Sequence, residues 1–361
     1  MKKKYVSATV DAVESLYLKR DWQNIFKSRK GVRIPSPNPL NIDDYVHDQP
    51  DSIWEILDRD QIQVFENDPF LAAIRDNPSS ALNLPNEIFL VDRTTKARFN
   101  KLNTGTLVCS EKSASAIPLK RNWRRILKKG DSFSWEGFFR DDVINSAIPS
   151  NALILVDRYL FSSYDDGLQN LMDILDAILP KTFCGCYQIL VITDDQQIME
   201  AGQCQFKTID EAVSDIQSVV PSLERPYEIL LEVLLVHKAE KLAYGQKRTP
   251  EENSLIRFYQ ETHDRHIFSN YFSVTAEHAL SAVKQTKKGN LVASFKQTIS
   301  FDAAYAGIDN KFQSKRDLPI KGCEDFVKET ETFINSPNPI CLFYSNAKRV
   351  DVKSIQNRLV K

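Results

Sequence analysis

An octet near residue 265 combines residue types that can handle phosphate. HDRHIFSN spans residues 263–270 and places His263, Arg265 and Asn270 at its first, third and eighth positions. A histidine can attack phosphorus or move a proton, and the planar guanidinium of an arginine binds phosphate oxygens in a bidentate manner. We therefore predict a phosphate-binding site made of His263, Arg265 and Asn270, in which His263 is the candidate catalytic residue.

A purely structural interpretation of the same octet stays open beside this one. Asp264 and Arg265 would then form an internal ion pair at the end of a strand. The two histidines, His263 and His266, would be ordinary polar positions of a strand whose side chains alternate between its two faces.

Three aspartates suggest a rival site. Asp157, Asp194 and Asp195 follow two predicted buried strands, and open α/β sheets bind ligands beyond the carboxyl ends of their strands. Carboxylates placed there could hold Mg²⁺, with Asp157 and Asp194 as direct ligands. The alternative is that these residues cap helices, because an acidic residue before a helix satisfies unpaired amide groups. Apart from this Mg²⁺ alternative, the sequence predicts no metal and no cofactor.

The segment LKRNWRRILKKG, residues 119–130, is the densest basic cluster of the chain. Cations around an aromatic residue can hold a phosphate backbone and stack a base, so we predict contact with nucleic acid or another polyanion. The alternative is a solvated helix face with Trp123, Ile126 and Leu127 on its buried stripe. The predicted polyanion-binding residues are Lys120, Arg121, Trp123, Arg124, Arg125, Lys128 and Lys129.

The elements that must position the octet and the aspartates form an α/β pattern. Apolar runs at 153–157, 187–193 and 227–236 are typical of strands that are buried on both faces. A helix over 167–179 follows the first run, and a second helix follows Thr208, whose spacing to Glu211 is that of a capping box. This alternation predicts a mixed, mostly parallel sheet flanked by helices, with the three strands as neighbours.

The first part of the chain has a less regular pattern, and we predict an α+β domain there. Helices are expected at 8–28 and 50–65, separated by a proline-rich loop at 33–44. Strands are expected at 86–93 and 104–111. SAIPSN, at 146–151, marks a boundary, and we predict an N-terminal domain at 1–148, with a recognition role, and an α/β domain at 149–361.

Composition excludes several classes of protein. The chain has 361 residues, of which 42% are hydrophobic and 26% charged, so two folded domains are expected. A net charge of −1 gives no global attraction to nucleic acid or membrane. No apolar run approaches the roughly 20 residues that span a bilayer, and the first residues lack a signal core. A cytoplasmic protein without membrane contact is therefore expected.

The octet resembles the H-x-K-x-x-x-x-D motif of the phospholipase D superfamily. The longer segment LIRFYQETHDRHIFSNYFSV is similar to His-Asp-Arg variants of the phospholipase D-like (PLD-like) fold, such as the C-terminal domain that accompanies microtubule-interacting-and-transport modules and PLD-like domains of bacterial defence proteins. VDRYL, at 156–160, resembles their upstream strand that ends in aspartate. The resemblance covers residues about 150–285 and implies a PLD-like α/β domain.

Departures from the family motif change the implied function. Arginine replaces lysine and keeps oxyanion binding, but asparagine replaces aspartate and cannot stabilise an imidazolium by its charge. A second copy of the motif, which family members need, is absent from the chain, since His237 is followed directly by Lys238. The resemblance thus implies a degenerate phosphate-binding site.

Two functions follow as expectations. The first is a soluble recognition protein of prokaryotic type that belongs to an antiviral defence system, with nucleic acid or a protein of a defence complex as partner. The alternative is a phosphodiesterase or nuclease that completes its active site by forming a homodimer.

Overall fold

The structure of the chain is a computed structural model. The described residues are 6–17, 19, 22–23, 26, 31–34, 53–60, 62–66, 74, 76–84, 88–110, 122–143, 149–201, 206–236, 265–303, 341–351 and 354–360. Within these ranges the chain forms a five-stranded sheet, a nine-stranded sheet and a two-stranded ribbon. The fold is therefore mixed α/β.

The five-stranded sheet lies in the N-terminal part of the chain and is parallel throughout. Its strands are β1 (Val6–Ala8), β2 (Gly31–Ile34), β3 (Gln63–Glu66), β4 (Ile88–Leu90) and β5 (Leu107–Cys109), in the order β3-β2-β1-β4-β5. The helices described around it include α1 (Val10–Leu16), α2 (Ile53–Arg59) and α3 (Arg93–Leu102), and a 3₁₀ helix covers Pro78–Asn83. The predicted α+β class is wrong here, because strands that alternate with helices in a parallel sheet make an α/β unit.

Helices cover both faces of this sheet. Leu16 of α1 and Leu57 of α2 belong to the main hydrophobic core. Phe99 of α3 instead packs with Phe89 on the other face. This change of face accompanies the reversal of strand order between β1 and β4, as right-handed crossovers require.

Several predicted elements of this region need correction. The helix predicted at 8–28 begins at Val10, and α1 ends at Leu16. The helix predicted at 50–65 is found only as α2, because Gln63–Glu66 pairs with β2 as a strand. The strands predicted at 86–93 and 104–111 are confirmed as β4 and β5. The loop predicted at 33–44 lies largely outside the described residues.

The nine-stranded sheet carries the candidate site. Its order is β16-β15-β9-β8-β7-β10-β11-β14-β6. These strands are β6 (Asn122–Leu127), β7 (Ala152–Val156), β8 (Tyr187–Asp194), β9 (Ile229–Val236), β10 (Arg265–Ser269), β11 (Phe272–Ala276), β14 (Gln297–Ala303), β15 (Cys341–Ser345) and β16 (Lys348–Val350). The ribbon pairs β12 (Val283–Gln285) with β13 (Leu291–Ala293).

The predicted α/β unit is confirmed at the centre of this sheet. Strands β7, β8 and β9 are parallel neighbours, connected by α4 (Tyr164–Ile178), α5 (Asp195–Ala201) and α6 (Ile209–Gln217). Thr208 caps α6 as predicted, since its hydroxyl accepts a hydrogen bond from the Glu211 amide. Short helical segments also occur at Trp135–Gly137, Phe138–Val143 and Val219–Ser222.

The sheet is mixed, but the prediction that it is mostly parallel is wrong. The pairs β7–β8 and β8–β9 are parallel, whereas the six other neighbouring pairs are antiparallel. A tight turn at Asn270 and Tyr271 joins β10 to β11, and such a short connection forces antiparallel pairing.

The basic segment forms a strand, so the alternative interpretation of this segment as a solvated helix face is wrong. Residues Asn122–Leu127 pair with β14 in antiparallel register, with Arg125 opposite Ile299. Leu127 is buried, but Ile126 is 63% exposed, which a helical stripe shared by both would not allow. Cross-strand pairing has overridden a helical periodicity of only a few residues.

The predicted domain boundary at 148/149 stays a prediction. Strand β6 lies before it in the chain and pairs within the nine-stranded sheet. Close packing also connects Gly105 to the start of β7, since a Cβ atom at Gly105 would lie 2.1 Å from the carbonyl oxygen of Ser150.

The last residues of the chain close one face of the large sheet. Ile355 and Leu359 pack against the apolar side chains of β7, β8 and β9. The buried carboxylate of Glu232 accepts hydrogen bonds from the amides of Gln356 and Asn357, at 2.9 and 3.1 Å. Among the described helices, none has the length and apolar character that a membrane crossing requires.

Candidate phosphate-binding site

Arg265 begins β10 at the edge of the sheet where the parallel strands end. His266 is paired with Val156, so Arg265 lies level with Asp157, the residue after β7. The Arg265 Nε atom lies 3.3 Å from Asp157 Oδ1, and both side chains are buried. The predicted phosphate-binding arginine is thus held in a buried ion pair at the carboxyl edge of the sheet.

Asp157 is fixed by backbone hydrogen bonds as well as by Arg265. Its Oδ1 accepts from the Tyr159 amide at 2.7 Å, and its Oδ2 accepts from the Leu280 amide at 2.5 Å. Burial raises the pKa of Asp157 to about 6, because the hydrogen bonds and the Arg265 charge, which lower the pKa, offset the loss of hydration only in part.

A second ion pair lies beside the first. Arg158 Nε is 3.4 Å from Asp194 Oδ2, and Asp194 Oδ1 accepts from the Gln197 amide at 3.3 Å. Tyr159 contacts both cations, with its ring centroid 5.0 Å from Arg265 Cζ and 5.5 Å from Arg158 Cζ. We call Asp157, Arg158, Tyr159, Asp194 and Arg265 the edge cluster.

The predicted metal ligands Asp157 and Asp194 each face an arginine in the edge cluster. Val156 pairs with Ile192, so Asp157 lies level with Thr193, and alternation directs Asp194 to the opposite face of the sheet. Asp195 is half-buried at the start of α5. Within the described ranges, no group of three or more metal-ligating side chains lies together. The Mg²⁺ alternative stays a prediction.

His266 is a core residue on the face opposite to Arg265. Its ring stacks on Phe268 at 5.0 Å between centroids, and its Nδ1 lies 3.2 Å from the Thr275 hydroxyl. Burial, and then the neighbouring Arg265 charge, lower the pKa of His266 to about 4. A neutral, buried imidazole of this kind matches the structural interpretation of the octet for this residue.

Asn270 lies at the other end of β10 and has a structural contact. Its side-chain oxygen accepts from the amides of Asn151 and Ala152, at 2.9 and 3.2 Å. Asn270 follows Arg265 by five residues along the strand direction, which corresponds to about 17 Å. The structure therefore does not bring these two predicted phosphate ligands together. The remaining predicted ligand, His263, and its neighbour Asp264 lie outside the described residues.

The polyanion-binding prediction is only partly covered by the described residues. The side chains of Arg124, Arg125, Lys128 and Lys129 are exposed on and after β6. Lys120 and Arg121 lie outside the described ranges, as does the side chain of Trp123.

Sequence reasoning missed Arg158 and Tyr159 as members of the edge cluster. Both belong to VDRYL at 156–160, a segment in which only the aspartate matches the PLD-like pattern. Their position directly after a buried strand was the available signal, because that position faces the ligand-binding edge of a parallel sheet. The Leu280 amide, by contrast, had no signal in the sequence.

Comparison with known proteins adds no assignment to this geometry. No protein-family model matches the sequence, and no curated protein matches it either.

Proposed function

We propose that this chain is a recognition protein whose PLD-like domain binds a phosphate group at Arg265 without cleaving the phosphodiester, as a component of an antiviral defence system. The observation that carries the proposal is the position of Arg265. Its guanidinium is oriented by Asp157 and Tyr159 at the carboxyl edge of the parallel strands, where open α/β sheets bind ligands.

A buried hydroxyl on the other side of Asp157 from Arg265 supports anion binding at this edge. Thr193 lies level with Asp157 on the same face of the sheet, and its hydroxyl is buried without a hydrogen-bond partner among the described residues. A buried polar group without a partner is costly in a folded protein. A phosphate oxygen would accept a hydrogen bond from this hydroxyl and offset that cost.

The raised pKa of Asp157 predicts how binding should depend on pH. Protonation of Asp157 near pH 6 removes the negative charge that competes with phosphate for Arg265. By linkage, a bound phosphodiester favours the protonated carboxyl. Affinity for an oligonucleotide should therefore rise as the pH falls through about 6, while the charge of the phosphodiester itself stays constant.

Two features favour binding over cleavage. His266 is neutral, buried and directed away from Arg265, so it offers no nucleophile on the Arg265 face. Asn270 carries no charge and is engaged by backbone amides. Catalysis would depend on His263 in combination with a second copy of the chain.

Binding of a labelled oligonucleotide at pH 5.5 and 7.5 tests the proposal. Arg265→Lys should weaken binding on the order of tenfold, since lysine lacks the planar fork. The matched control is Arg225→Lys, because Arg225 also pairs with a carboxylate, Asp176, at 2.7 Å but lies away from the edge cluster. Equal effects of the two substitutions, or none, would refute phosphate binding at Arg265.

Cleavage assays separate the proposal from the enzymatic alternative. Labelled single- and double-stranded substrates should stay intact with and without Mg²⁺, and light scattering should report a monomer. Cleavage that is lost on His263→Ala, with an unchanged circular dichroism spectrum, would establish a homodimeric phosphodiesterase or nuclease instead.

A further inference from the structure

Strand β6 forms an outer edge of the nine-stranded sheet. Among the described strands, it has a neighbour on one side only, β14. An edge strand has backbone N–H and C=O groups that are directed away from the sheet, and these groups can pair with an added strand.

The hydrogen bonds of Thr298 show which groups of β6 point outward. The Thr298 carbonyl accepts from the Glu277 amide at 3.1 Å, and the Thr298 amide donates to the Glu277 carboxylate at 2.9 Å. Thr298 therefore points away from β6. Ile126 is the partner of Thr298 in register, so these two residues form a non-bonded pair and the backbone groups of Ile126 point to the open edge. Bonded and non-bonded pairs alternate along an antiparallel ladder, so the backbone groups of Arg124, two residues away, point the same way.

The side chains next to these groups are unusually exposed for a strand. Ile126 is 63% exposed, and the Arg124 side chain is 67% exposed. Both lie on one face of β6, two residues apart. Arg124 has a partner in Glu277, at 3.6 Å, but the two side chains are 67% and 47% exposed, so the pair is weak and exchangeable.

We propose that β6 is a docking edge for an extended acidic segment of another protein, which adds to the sheet as a further strand. The segment would place an apolar side chain opposite Ile126 and a carboxylate, two residues away, opposite Arg124. Main-chain hydrogen bonds would supply affinity, and these two contacts would supply register and selectivity. This inference is independent of the phosphate site.

Charge argues against a second copy of this chain as the partner. In registers that pair the outward groups of two β6 strands, cations of the two copies face each other. The opposed pairs would be Arg124 with Arg124, Arg125 with Arg125, or Arg124 with Lys128. Like charges in opposed positions destabilise a strand pair.

Nucleic acid fits the edge less completely than an acidic peptide. A phosphate backbone would contact the arginines, but it would leave the outward carbonyl groups and the Ile126 side chain without matching contacts. An extended peptide matches the cations, the backbone groups and the apolar side chain together.

Fluorescence polarisation with a labelled synthetic peptide tests this proposal. The probe repeats Val-Thr-Glu-Thr, and the control peptide carries Lys in place of Glu. Ile126→Pro removes an outward N–H and leaves the hydrogen bonds to β14 in place. Edge strands tolerate proline at positions whose N–H faces away from the sheet. We expect it to weaken peptide binding on the order of tenfold, equivalent to about 1.4 kcal/mol. Ile126→Thr keeps the N–H and should lose less.

One further variant and one modified peptide make the result decisive. Arg124→Glu should reduce binding of the acidic peptide and increase binding of the lysine peptide. An N-methylated acidic probe should fail to bind the wild-type protein, which tests strand addition even if Ile126→Pro disturbs folding. Absence of binding to the wild type, or N-methylated and unmodified probes that bind equally, would overturn the proposal. Tight oligonucleotide binding that is lost on Arg124→Glu, without peptide binding, would assign the edge to nucleic acid instead.

Discussion

Replacement of His266 by glutamine should change how the stability of the protein depends on pH. Burial lowers the pKa of His266 from 6.5 to about 4 in the folded protein. Between pH 6.5 and 4 the unfolded chain therefore binds a proton that the folded chain does not, and the free energy of unfolding falls as the pH falls. The change in pKa corresponds to about 3 kcal/mol, fully lost below pH 4.

Asp157 titrates in the same range with the opposite sign. Its pKa is raised from 3.8 to about 6, so the folded chain takes up a proton before the unfolded chain does. Its contribution to stability is present below pH 3.8 and is lost as the pH rises through 6. The magnitude is about 3 kcal/mol, so the two residues nearly cancel in the wild-type protein.

His266→Gln keeps a polar partner for Thr275 and removes the titration. The free energy of unfolding of the wild type minus that of His266→Gln should fall by about 3 kcal/mol from pH 7 to below pH 4, because only the wild type loses stability through this histidine. Urea unfolding at a series of pH values measures this difference, and the NMR titration of the His266 ring reports its pKa directly. A difference that stays constant to about 0.5 kcal/mol, or a ring pKa near 6.5, would refute the reasoning.

Three further predictions concern stability. Asp157→Ala should lower the free energy of unfolding in urea by about 3–5 kcal/mol, because it leaves the Arg265 charge buried without Asp157. The double variant Asp157→Leu, Arg265→Met should lower it less, and equal losses would contradict this. Glu232→Ala should cost about 1–3 kcal/mol and expose the C-terminal residues to proteases, because the amides of Gln356 and of the buried Asn357 lose their acceptor. The control is Glu136→Ala at an exposed position, with an expected change below about 0.5 kcal/mol. Gly105→Ala should lower the melting temperature more than Gly130→Ala. Both glycines have positive φ, but of these two only Gly105 would place a Cβ against backbone atoms. Similar effects of the two substitutions would contradict close packing of Gly105 against Ser150.

The parts of the fold that were predictable are those in which a local signal and the final environment agree. Strands β7, β8 and β9 are continuous apolar runs, and such runs need burial on both faces, which the centre of a parallel sheet provides. The Thr208 cap depends on atoms within one turn of α6. Asp157 and Asp194 were placed correctly at strand ends, because the end of an apolar run marks the carboxyl edge.

Other features could not be inferred because distant segments decide them. The basic segment has a helical spacing of apolar residues, but β14 aligns it as a strand and leaves Ile126 in water. The first strands, β1 and β2, are too short to show a period, so the sequence pattern does not reveal the parallel N-terminal sheet.

The edge cluster shows most clearly what the sequence determines and what only the tertiary structure decides. The sequence alone identified Arg265 and Asp157 as residues able to bind phosphate or metal, because that ability belongs to the side chains themselves. Tertiary structure decided that they meet each other at 3.3 Å, that His266 turns to the opposite face and that Asn270 lies at the far end of β10. Strand geometry within β10 separates His266 and Asn270 from Arg265. Strand register sets the contact between Arg265 and Asp157, and register is a property of paired segments that no single segment encodes.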